Sequence, residues 1–442
     1  MRGVCVLAAA VCLCLCVLGV CADEAKEGVL LSIIFSRHGD RQPLHFLDPE
    51  KDSGTWKQGW NKHGQLTDLG QTQLYTLGKR LNSWYVTEAE DSLLSPTFEM
   101  ADALLYSSDS DRALMSSYSM WTGLYDPSTS PDEMPSNPFP ILARDITWDP
   151  IKAYDACPMW DVVKEQVTLD PTYHAQAVAG KAVLQDLVDL LNPEDDVEGM
   201  ADVSHVSDPL RCDVYHGFGL PTGVSPDDYD TVEGIHDTMK SLESHLNPSI
   251  TATVTMPLFV EWLGVINDTL RQTPQARLVH YSGHDTMVRL IRSALGLDAD
   301  ADSDLGYSTV QPHYAAFISL ELYHTPGVGY EVAFEYYRDP EGDAQDLCPL
   351  LSTSDGLWGG ASPCPLSVVV DALGQSISHT GVTVADVMDN GYTADSPEVR
   401  ALFDSMCEVH DSQSLWVWIS VGMLIVCAGA LTYYLIRRHQ KK

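Results

Sequence analysis

Basic residues are scarce in this chain of 442 residues. It has 26 lysines and arginines against 62 aspartates and glutamates, and its formal net charge is −36. Five of the cations lie outside residues 23–414, so this segment holds 21 basic residues and carries a net charge of −41. Such a surface repels the phosphates of nucleic acids, so we expect no nucleic-acid partner. The charge suits an acidic lumen, where carboxylates are partly neutralised, and plain solubility is the alternative explanation.

The sequence also lacks internal repeats and any dense cluster of histidine and aspartate that would indicate a metal site. Acceptor sequences for N-glycosylation are equally sparse. Asn267-Asp268-Thr269 is the one clear candidate, because the proline of Asn247-Pro248-Ser249 disqualifies the other match. The chain therefore has to be interpreted from its ends and from its local polar motifs.

Both ends carry apolar runs. Residues 1–22 combine one basic residue, an apolar run and small residues before Asp23, which predicts a secretory signal peptide. An N-terminal membrane anchor is the weaker alternative, because the run is short for a span. Residues 415–436 hold no charge and as a helix would be about 33 Å long, enough to cross a bilayer core of roughly 30 Å.

Four cations in residues 437–442 predict a cytoplasmic tail and a single-pass type I membrane protein. The uncharged length of the span argues against a buried core helix. The basic C-terminus argues against a lipid anchor, whose signal ends in apolar residues. The catalytic or binding domain then faces the lumen or the cell exterior, and endosome, lysosome and cell surface all remain open.

Residues between the two ends predict an α/β protein. Val29–Phe35 is an apolar run typical of a buried parallel strand, and Ala103–Ser107 and Arg277–Tyr281 predict two further strands. Residues 315–324 and 330–338 alternate around a glycine-containing turn, which predicts a hairpin. Helices are predicted at Thr67–Tyr85 with Thr67 as N-cap, Arg112–Tyr118, Tyr173–Leu191, Thr231–Leu246, Pro257–Arg271 and Thr286–Leu295.

This order of elements predicts a mixed, mostly parallel sheet flanked by helices and interrupted by a smaller, mainly helical insertion domain. The core is assigned to residues 23–139 and 256–414, the second part ending in a short stalk. The insertion is assigned to residues 140–255, after a loop rich in proline, serine and aspartate.

Three predicted strand-to-helix junctions hold unusual polar residues. The first is Arg37-His38-Gly39-Asp40-Arg41-Gln42-Pro43, the second runs from Ser107 to Arg112, and the third from Ser282 to Thr286. Ligands of open α/β sheets bind at the carboxyl ends of the strands, so we expect the three junctions to meet in one cleft. The cleft would contain Arg37, Arg41, Arg112, His38, His284 and Asp285.

Guanidinium forks match the oxygens of a phosphate, and helix N-termini add backbone donors, so this cleft predicts a site for a small, multiply charged oxyanion. Histidine is a nucleophile when its nitrogen is unprotonated, and Arg37 and Arg41 would lower the pKa of His38. Asp285 would have to hold a proton for a leaving oxygen, which a bound phosphate and acidic pH both favour. A surface ion pair is the alternative role for Arg112.

These motifs resemble the histidine acid phosphatases, especially the lysosomal and prostatic group and the membrane-bound enzymes of trypanosomatids. The resemblance rests on Arg37 to Pro43, on His284-Asp285, on Asp111 to Ser116 and on the stretch from Leu66 to Leu81. It implies that His38 becomes phosphorylated and that Asp285 protonates the leaving group. It implies further that Arg37, Arg41, Arg112 and His284 hold the phosphoryl oxygens, with no metal or other cofactor.

The cysteines divide between these regions. Five lie in the signal peptide, Cys427 lies in the span, and five remain in the lumenal part, where disulfides are favoured and one thiol is left over. By resemblance, Cys157 should pair with Cys407 and Cys348 with Cys364. Cys212 looks like a paired family cysteine, but its partner position falls at Tyr314–Phe317, which leaves a free thiol or an intermolecular link.

The predicted activity is hydrolysis of simple phosphate monoesters, with phosphoproteins as further substrates. A phytase or inositol-phosphate phosphatase of the same superfamily is the nearest rival, and the acidic insertion offers few of the basic residues that it would need. A mutase is disfavoured. A non-catalytic membrane receptor would need the arginines but not Asp285.

His45 and His63 are interpreted as loop residues, and Gly39 is interpreted as a turn residue. A homodimer is possible, but the sequence does not identify its interface.

Overall fold

The computed structural model describes residues 28–45, 56, 63–86, 92–128, 130, 139–191, 203–300, 303, 305–353, 356–357 and 360–409. The predicted signal peptide, membrane span and cytoplasmic tail lie outside these residues. Within them, one helix, Pro248–Leu270, is long and apolar enough to cross a bilayer. Within the most apolar 18 residues of this helix, 78% are buried in the protein, which is the environment of a core helix.

Ten strands are found in the described residues. They are β1 (Val29–Arg37), β2 (Ala103–Ser107), β3 (Leu142–Ala143), β4 (Leu278–Gly283), β5 (Phe317–Thr325), β6 (Gly329–Tyr337), β7 (Ala344–Asp346), β8 (Ser352–Thr353), β9 (Gly356–Leu357) and β10 (Cys364–Pro365). The main sheet has the order β10-β6-β5-β1-β4-β2-β3, with β7 added on β6, while β8 and β9 pair with each other.

The main sheet is mixed. Strands β1, β4, β2 and β3 pair in parallel in that spatial order, and β5, β6, β7 and β10 continue the sheet in antiparallel pairs on the other side of β1. The predicted hairpin is confirmed as β5 and β6. The predicted α/β class, a mixed sheet flanked by helices, is confirmed as well.

Eleven helices are found in the described residues. They are α1 (Asp68–Tyr85), α2 (Asp111–Tyr125), α3 (Pro158–Leu169), α4 (Pro171–Leu191), α5 (Val203–His216), α6 (Pro226–His245), α7 (Pro248–Leu270), α8 (Asp285–Ala294), α9 (Leu366–Ser378), α10 (Val384–Met388) and α11 (Pro397–Cys407). The side chain of Thr67 accepts a hydrogen bond from the Gly70 amide, which confirms the predicted N-cap of α1.

Successive residues of β1 face two different cores. Ile33 and Phe35 belong to the core on the side of α7 and α8, whereas Ile34 belongs to the core under α1 and α2. Side chains of a strand alternate between the two faces of a sheet, so a strand covered on both faces has to be apolar throughout. This explains the nearly continuous apolar run, interrupted by Ser32, that identified β1 in the sequence.

Helices α3 to α6 build a third core of their own, separate from the two cores of the sheet. Its buried residues include Val167, Tyr173, Leu184, Leu210 and Met239. These four helices fall within the predicted insertion, residues 140–255, whereas α7 runs continuously across its predicted boundary at residue 255.

The predicted start of α7 at Pro257 is wrong, because the helix begins at Pro248. The Asn247 side chain accepts a hydrogen bond from the Ile250 amide, and Pro248 occupies the first turn, where its missing N–H costs nothing. Pro257 lies inside the helix. The sequence pattern assigned the starting role to the second proline instead of the first.

The cysteines pair as the resemblance implied. Disulfides join Cys157 to Cys407 and Cys348 to Cys364. Cys212 is a free thiol with no exposed surface, which leaves no access for an intermolecular link. The first bond joins the N-cap residue of α3 to the last residue of α11, so it anchors the helical insertion to the C-terminal segment of the core.

The candidate glycosylation residue Asn267 lies in α7. Its Nδ2 donates a hydrogen bond to the Met388 carbonyl over 2.9 Å. Because this nitrogen is the atom that would carry a glycan, attachment at Asn267 would have to precede the packing of α7 against α10.

The two disulfides should contribute unequally to stability. They join residues 250 and 16 positions apart, and in the loop-entropy model the longer loop gives about 2 kcal/mol more stabilisation. Replacing both Cys157 and Cys407 by serine should therefore lower the free energy of unfolding by about that much more than replacing both Cys348 and Cys364. Urea unfolding of the two double variants and the wild-type chain measures this difference. Equal losses would contradict the loop-closure explanation.

Candidate active site

The three strand-to-helix junctions meet at one edge of the sheet. Strands β1, β4 and β2 are adjacent and parallel, and their last residues are in register, with Arg37 opposite Gly283 and Ser107 opposite Ser282. The backbone amide of His38 continues this ladder by donating to the Gly283 carbonyl over 3.0 Å. The polar residues that follow each strand therefore converge on one site, as predicted.

His38 lies at the centre of this site and is only 2% exposed. Its Nδ1 is 2.8 Å from the Gly39 carbonyl oxygen. A carbonyl can only accept a hydrogen bond, so Nδ1 carries the proton and Nε2 keeps its lone pair. Burial and the charges of Arg112, Arg37 and Arg41 lower the pKa of His38 well below its usual value. The imidazole is thus neutral and has one free nitrogen.

The three predicted arginines surround this imidazole. The Nη1 of Arg37 donates to the Pro312 carbonyl over 2.5 Å, and its guanidinium lies 4.2 Å from the centre of the Tyr314 ring. Burial, and then the nearby charge of Arg41, lower the pKa of Arg112. The Nε atoms of Arg37 and Arg112 are buried without a hydrogen-bond partner among the described residues. The site therefore offers positive charge and unused donors, the property of an anion site.

His284 precedes α8 and is 4% exposed. Its Nδ1 lies 3.4 Å from Nη2 of Arg112, and its Nε2 lies 2.9 Å from Oγ of Ser108. Arginine can only donate, so Nδ1 accepts and Nε2–H donates to the hydroxyl. Burial, followed by the charge of Arg112, lowers the pKa of His284 well below its usual value. The ring centre is 5.3 Å from that of His38.

Asp285 is the first residue of α8, and its side chain is 32% exposed. Its Oδ2 forms an ion pair of 3.5 Å with Nη2 of Arg37. Burial by itself raises the pKa of this carboxyl, but the charges of Arg37, Arg289 and Arg41 outweigh it and lower the pKa well below its usual value. Without a bound anion, Asp285 is therefore ionised and holds no proton.

Gly39 is needed for close packing, not for a turn, so the predicted role is wrong. Its φ is not in the left-handed region. A Cβ atom on Gly39 would lie 2.3 Å from the Gly70 carbonyl oxygen, and one on Gly70 would lie 2.2 Å from the Asp40 carbonyl oxygen. The loop after β1 thus lies directly on the first turn of α1, where only glycine fits. Ser116 and Gln73 hold the loop from α2 and α1 by accepting hydrogen bonds from the amides of Gly39 and Asp40.

Arg41 is held by a residue that the sequence did not single out. Its Nη2 and Nη1 lie 2.6 and 3.4 Å from the two carboxylate oxygens of Asp208, which belongs to α5 of the insertion. Asp40, which has no exposed surface, receives hydrogen bonds of 2.6 Å from His216 at the end of α5 and from Thr67. Cys212 lies between Arg41 and Tyr314, 3.6 and 3.4 Å from their polar atoms.

His45 and His63 are both exposed, and neither lies in the cluster around His38. The ring of His45 contacts His205 of α5, with 4.0 Å between ring centres.

Sequence reasoning missed Asp208, His216 and Tyr314 because they are far from the motifs along the chain. The one available signal was the spacing of polar residues along α5, which places His205, Asp208, Cys212 and His216 on one helix face.

Known proteins of similar sequence align with most of this chain. Prostatic acid phosphatase of Bos taurus is 27% identical over 366 residues, which cover 80% of this chain and 87% of that protein. Lysosomal acid phosphatase of Xenopus laevis is 26% identical over 370 residues, which cover 78% of this chain and 75% of that protein.

Solved structures with the same fold include two phytases. The enzyme from Citrobacter braakii aligns with a TM-score of 0.54 at 15% identity and covers 79% of this chain and 98% of its own. The enzyme from D. castellii aligns with a TM-score of 0.52 at 16% identity and covers 85% of both chains. At these identities the likeness concerns the fold alone.

The model of the histidine phosphatase superfamily (branch 2) matches residues 31–337, which contain both the loop after β1 and the junction before α8. Because this match extends over more than half of the chain, the chain belongs to the histidine phosphatase superfamily (branch 2).

Proposed function

We propose that this chain is an acid phosphatase that hydrolyses phosphate monoesters through a phosphohistidine on His38. The observation that carries the proposal is the tautomer of His38, which leaves Nε2 free inside a ring of arginines. Family membership makes the chain a phosphoric monoester hydrolase, and curated relatives are named acid phosphatases.

In the first step, Nε2 of His38 attacks phosphorus and forms the P–N bond while the P–O bond to the leaving group breaks. Arg37, Arg41, Arg112 and His284 hold the phosphoryl oxygens, and the arginines stabilise the charge on them. Asp285 gives its proton to the departing oxygen. In the second step, water attacks phosphorus, Asp285 takes up a proton from it, and the P–N bond breaks to release inorganic phosphate and His38.

Asp285 has to gain a proton before it can act as the acid, although the surrounding cations keep it ionised in the free enzyme. A phosphate bound among the same arginines adds negative charge next to the carboxyl, which raises its pKa. The neutral form is then populated on the acid side. The low pKa of His38 keeps the nucleophile unprotonated there, so both groups favour an acidic optimum.

We further propose that the enzyme is a single-pass type I membrane protein whose catalytic domain faces an endosomal or lysosomal lumen or the cell exterior. The uncharged residues 415–436, the basic tail and the acidic charge of the catalytic segment support this topology. The likeness to a lysosomal acid phosphatase is consistent with it. Phosphoproteins are candidate substrates in such a location.

Replacing His38 by alanine should lower phosphatase activity by about 10³-fold or more, because the nucleophile is lost. Hydrolysis of p-nitrophenyl phosphate between about pH 4 and 8 measures this, and the wild-type chain should peak on the acid side and keep its activity in chelator. His324→Ala is the matched control, since His324 is an exposed residue near the far end of β5. Full activity of the His38 variant would refute the histidine-nucleophile mechanism.

Replacing Asp285 by asparagine should affect substrates according to their leaving groups. An alkyl phosphate needs protonation of its oxygen, so its rate should fall by about 10²- to 10⁴-fold. The leaving group of p-nitrophenyl phosphate is p-nitrophenolate, a stabilised anion that needs no proton, so the rate on this substrate should fall much less. The decline of that rate with rising pH should also disappear. Steady-state rates of the wild-type chain and the variant are compared on β-glycerophosphate, as the alkyl phosphate, and on p-nitrophenyl phosphate. Equal losses on both substrates would exclude Asp285 as the proton donor.

Phytate should be a poorer substrate than a simple monoester. The insertion, residues 140–255, has six basic residues, of which Arg144, Lys152, Lys164, Arg211 and Lys240 form ion pairs with neighbouring acids. Few cations thus remain for additional phosphates of a polyphosphorylated inositol. Phosphate release from phytate and from p-nitrophenyl phosphate at the same pH tests this. A higher kcat/KM on phytate would favour the phytase alternative.

A further inference from the structure

Helix α5 of the insertion lies against the loop that follows β1. Four of its residues, His205, Asp208, Cys212 and His216, are spaced by three, four and four positions and so share one face of the helix. We call this face the inner face of α5. Each of its four residues contacts a residue of the loop between Asp40 and His45.

Asp208 makes the densest set of these contacts. It accepts hydrogen bonds from both terminal nitrogens of Arg41, at 2.6 and 3.4 Å, and from the backbone amide of Leu44 at 2.6 Å. The side chains of Arg41 and Asp208 are 10% and 14% exposed. Burial alone would raise the pKa of Asp208, but its pairing with Arg41 and the Leu44 amide lowers it overall, so the carboxylate is ionised. A two-point contact of this kind fixes the plane of the guanidinium.

Arg41 needs such a contact because it is surrounded by like charge. It lies close enough to Arg112 to lower the pKa of that guanidinium, and it acts in the same direction on His38. Electrostatic repulsion would drive the flexible Arg41 side chain away from these groups unless an anion held it in place. In the free enzyme no phosphate is there to do so, and Asp208 is the carboxylate that contacts Arg41.

We propose that Asp208 is a positioning residue that holds Arg41 in its phosphate-binding orientation, so that the helical insertion completes the phosphate site of the core. This inference rests on the proposed function, because it assigns Arg41 to the phosphoryl oxygens. It gives the insertion a role in catalysis without any contact between Asp208 and the substrate.

Asp208→Asn separates positioning from simple charge balance. Asparagine keeps the size of the side chain, but its NH₂ group faces a donor on Leu44 or Arg41, so the two-point contact is lost. If Asp208 positions Arg41, kcat/KM for p-nitrophenyl phosphate should fall by about 10- to 100-fold, and the inhibition constant of inorganic phosphate should rise. If Asp208 only neutralised Arg41, removing its charge would instead strengthen the binding of phosphate.

A double-mutant cycle shows whether the effect runs through Arg41. In an Arg41→Ala background, Asp208→Asn should change kcat/KM by no more than about twofold, since the group that it positions is gone. Asp208→Glu, which keeps the carboxylate, should recover part of the activity that Asp208→Asn loses. Equal losses in both backgrounds, or wild-type kinetics and phosphate inhibition in Asp208→Asn, would overturn the inference.

Glu233→Gln is the matched control. Glu233 pairs with Arg211 of α5 over 2.5 Å and is 15% exposed, but Arg211 lies outside the inner face. This variant should lower the melting temperature in the way that Asp208→Asn does, while its kinetic constants stay at wild-type values. A kinetic loss as large as that of Asp208→Asn would show that any weakening of the insertion impairs the site, and would overturn the specific role of Asp208.

The failure of this inference can be told apart from the failure of the proposed function. A wild-type chain without phosphatase activity would refute the proposed function. Calorimetric titration of that same full-length chain with inorganic phosphate would still test the Arg41–Asp208 pair, because positioning predicts weaker binding in Asp208→Asn and charge balance predicts tighter binding.

Discussion

The structure of the site depends on keeping several guanidinium groups beside one uncharged imidazole. Like charges in a largely buried site repel one another strongly, and burial adds the cost of removing each from water. The protein offsets this cost separately for each arginine. Arg37 has Asp285, a backbone carbonyl and the face of Tyr314, and Arg41 has Asp208. Among the residues that the structure describes, Arg112 has the neutral His284 as its polar contact at the site, and its Nε donor is without a partner. An oxyanion would relieve what repulsion remains.

The same charges determine which groups can exchange protons. His38 is held neutral because burial disfavours its charged form and the three arginines repel a further positive charge. Asp285 is held ionised because the positive charges around it stabilise its carboxylate. In the proposed mechanism, His38 is thus in its reactive state before substrate binds, while Asp285 still lacks the proton that it has to donate. The same proposal requires the negative charge of a bound substrate to raise the pKa of Asp285, so that this carboxyl becomes an acid only in the complex.

Much of the fold could be predicted because its signals are local. The run in β1 is apolar on both faces because helices cover both faces of the sheet, and Thr67 caps α1 through a bond within one turn. The residues that meet at the site follow directly after strands, where backbone geometry points them to one edge. Two local patterns were misleading. Pro257 has the character of a helix start although Pro248 takes that role, and Gly39 suggests a turn although its lack of a side chain serves a contact with α1.

The sequence by itself determined which residues could carry the chemistry, since an arginine, a histidine or an aspartate keeps its chemistry wherever it lies and its place after a strand is a local property. Only the tertiary structure decided what holds those residues in place. Asp208 and Arg41 are 167 positions apart, and Cys212 and Tyr314 are 102 apart. No periodicity or spacing relates such pairs, because their distance depends on how α5 packs against the loop after β1. The protonation state of Asp285 has the same origin, because it follows from charges that only the packed chain brings together.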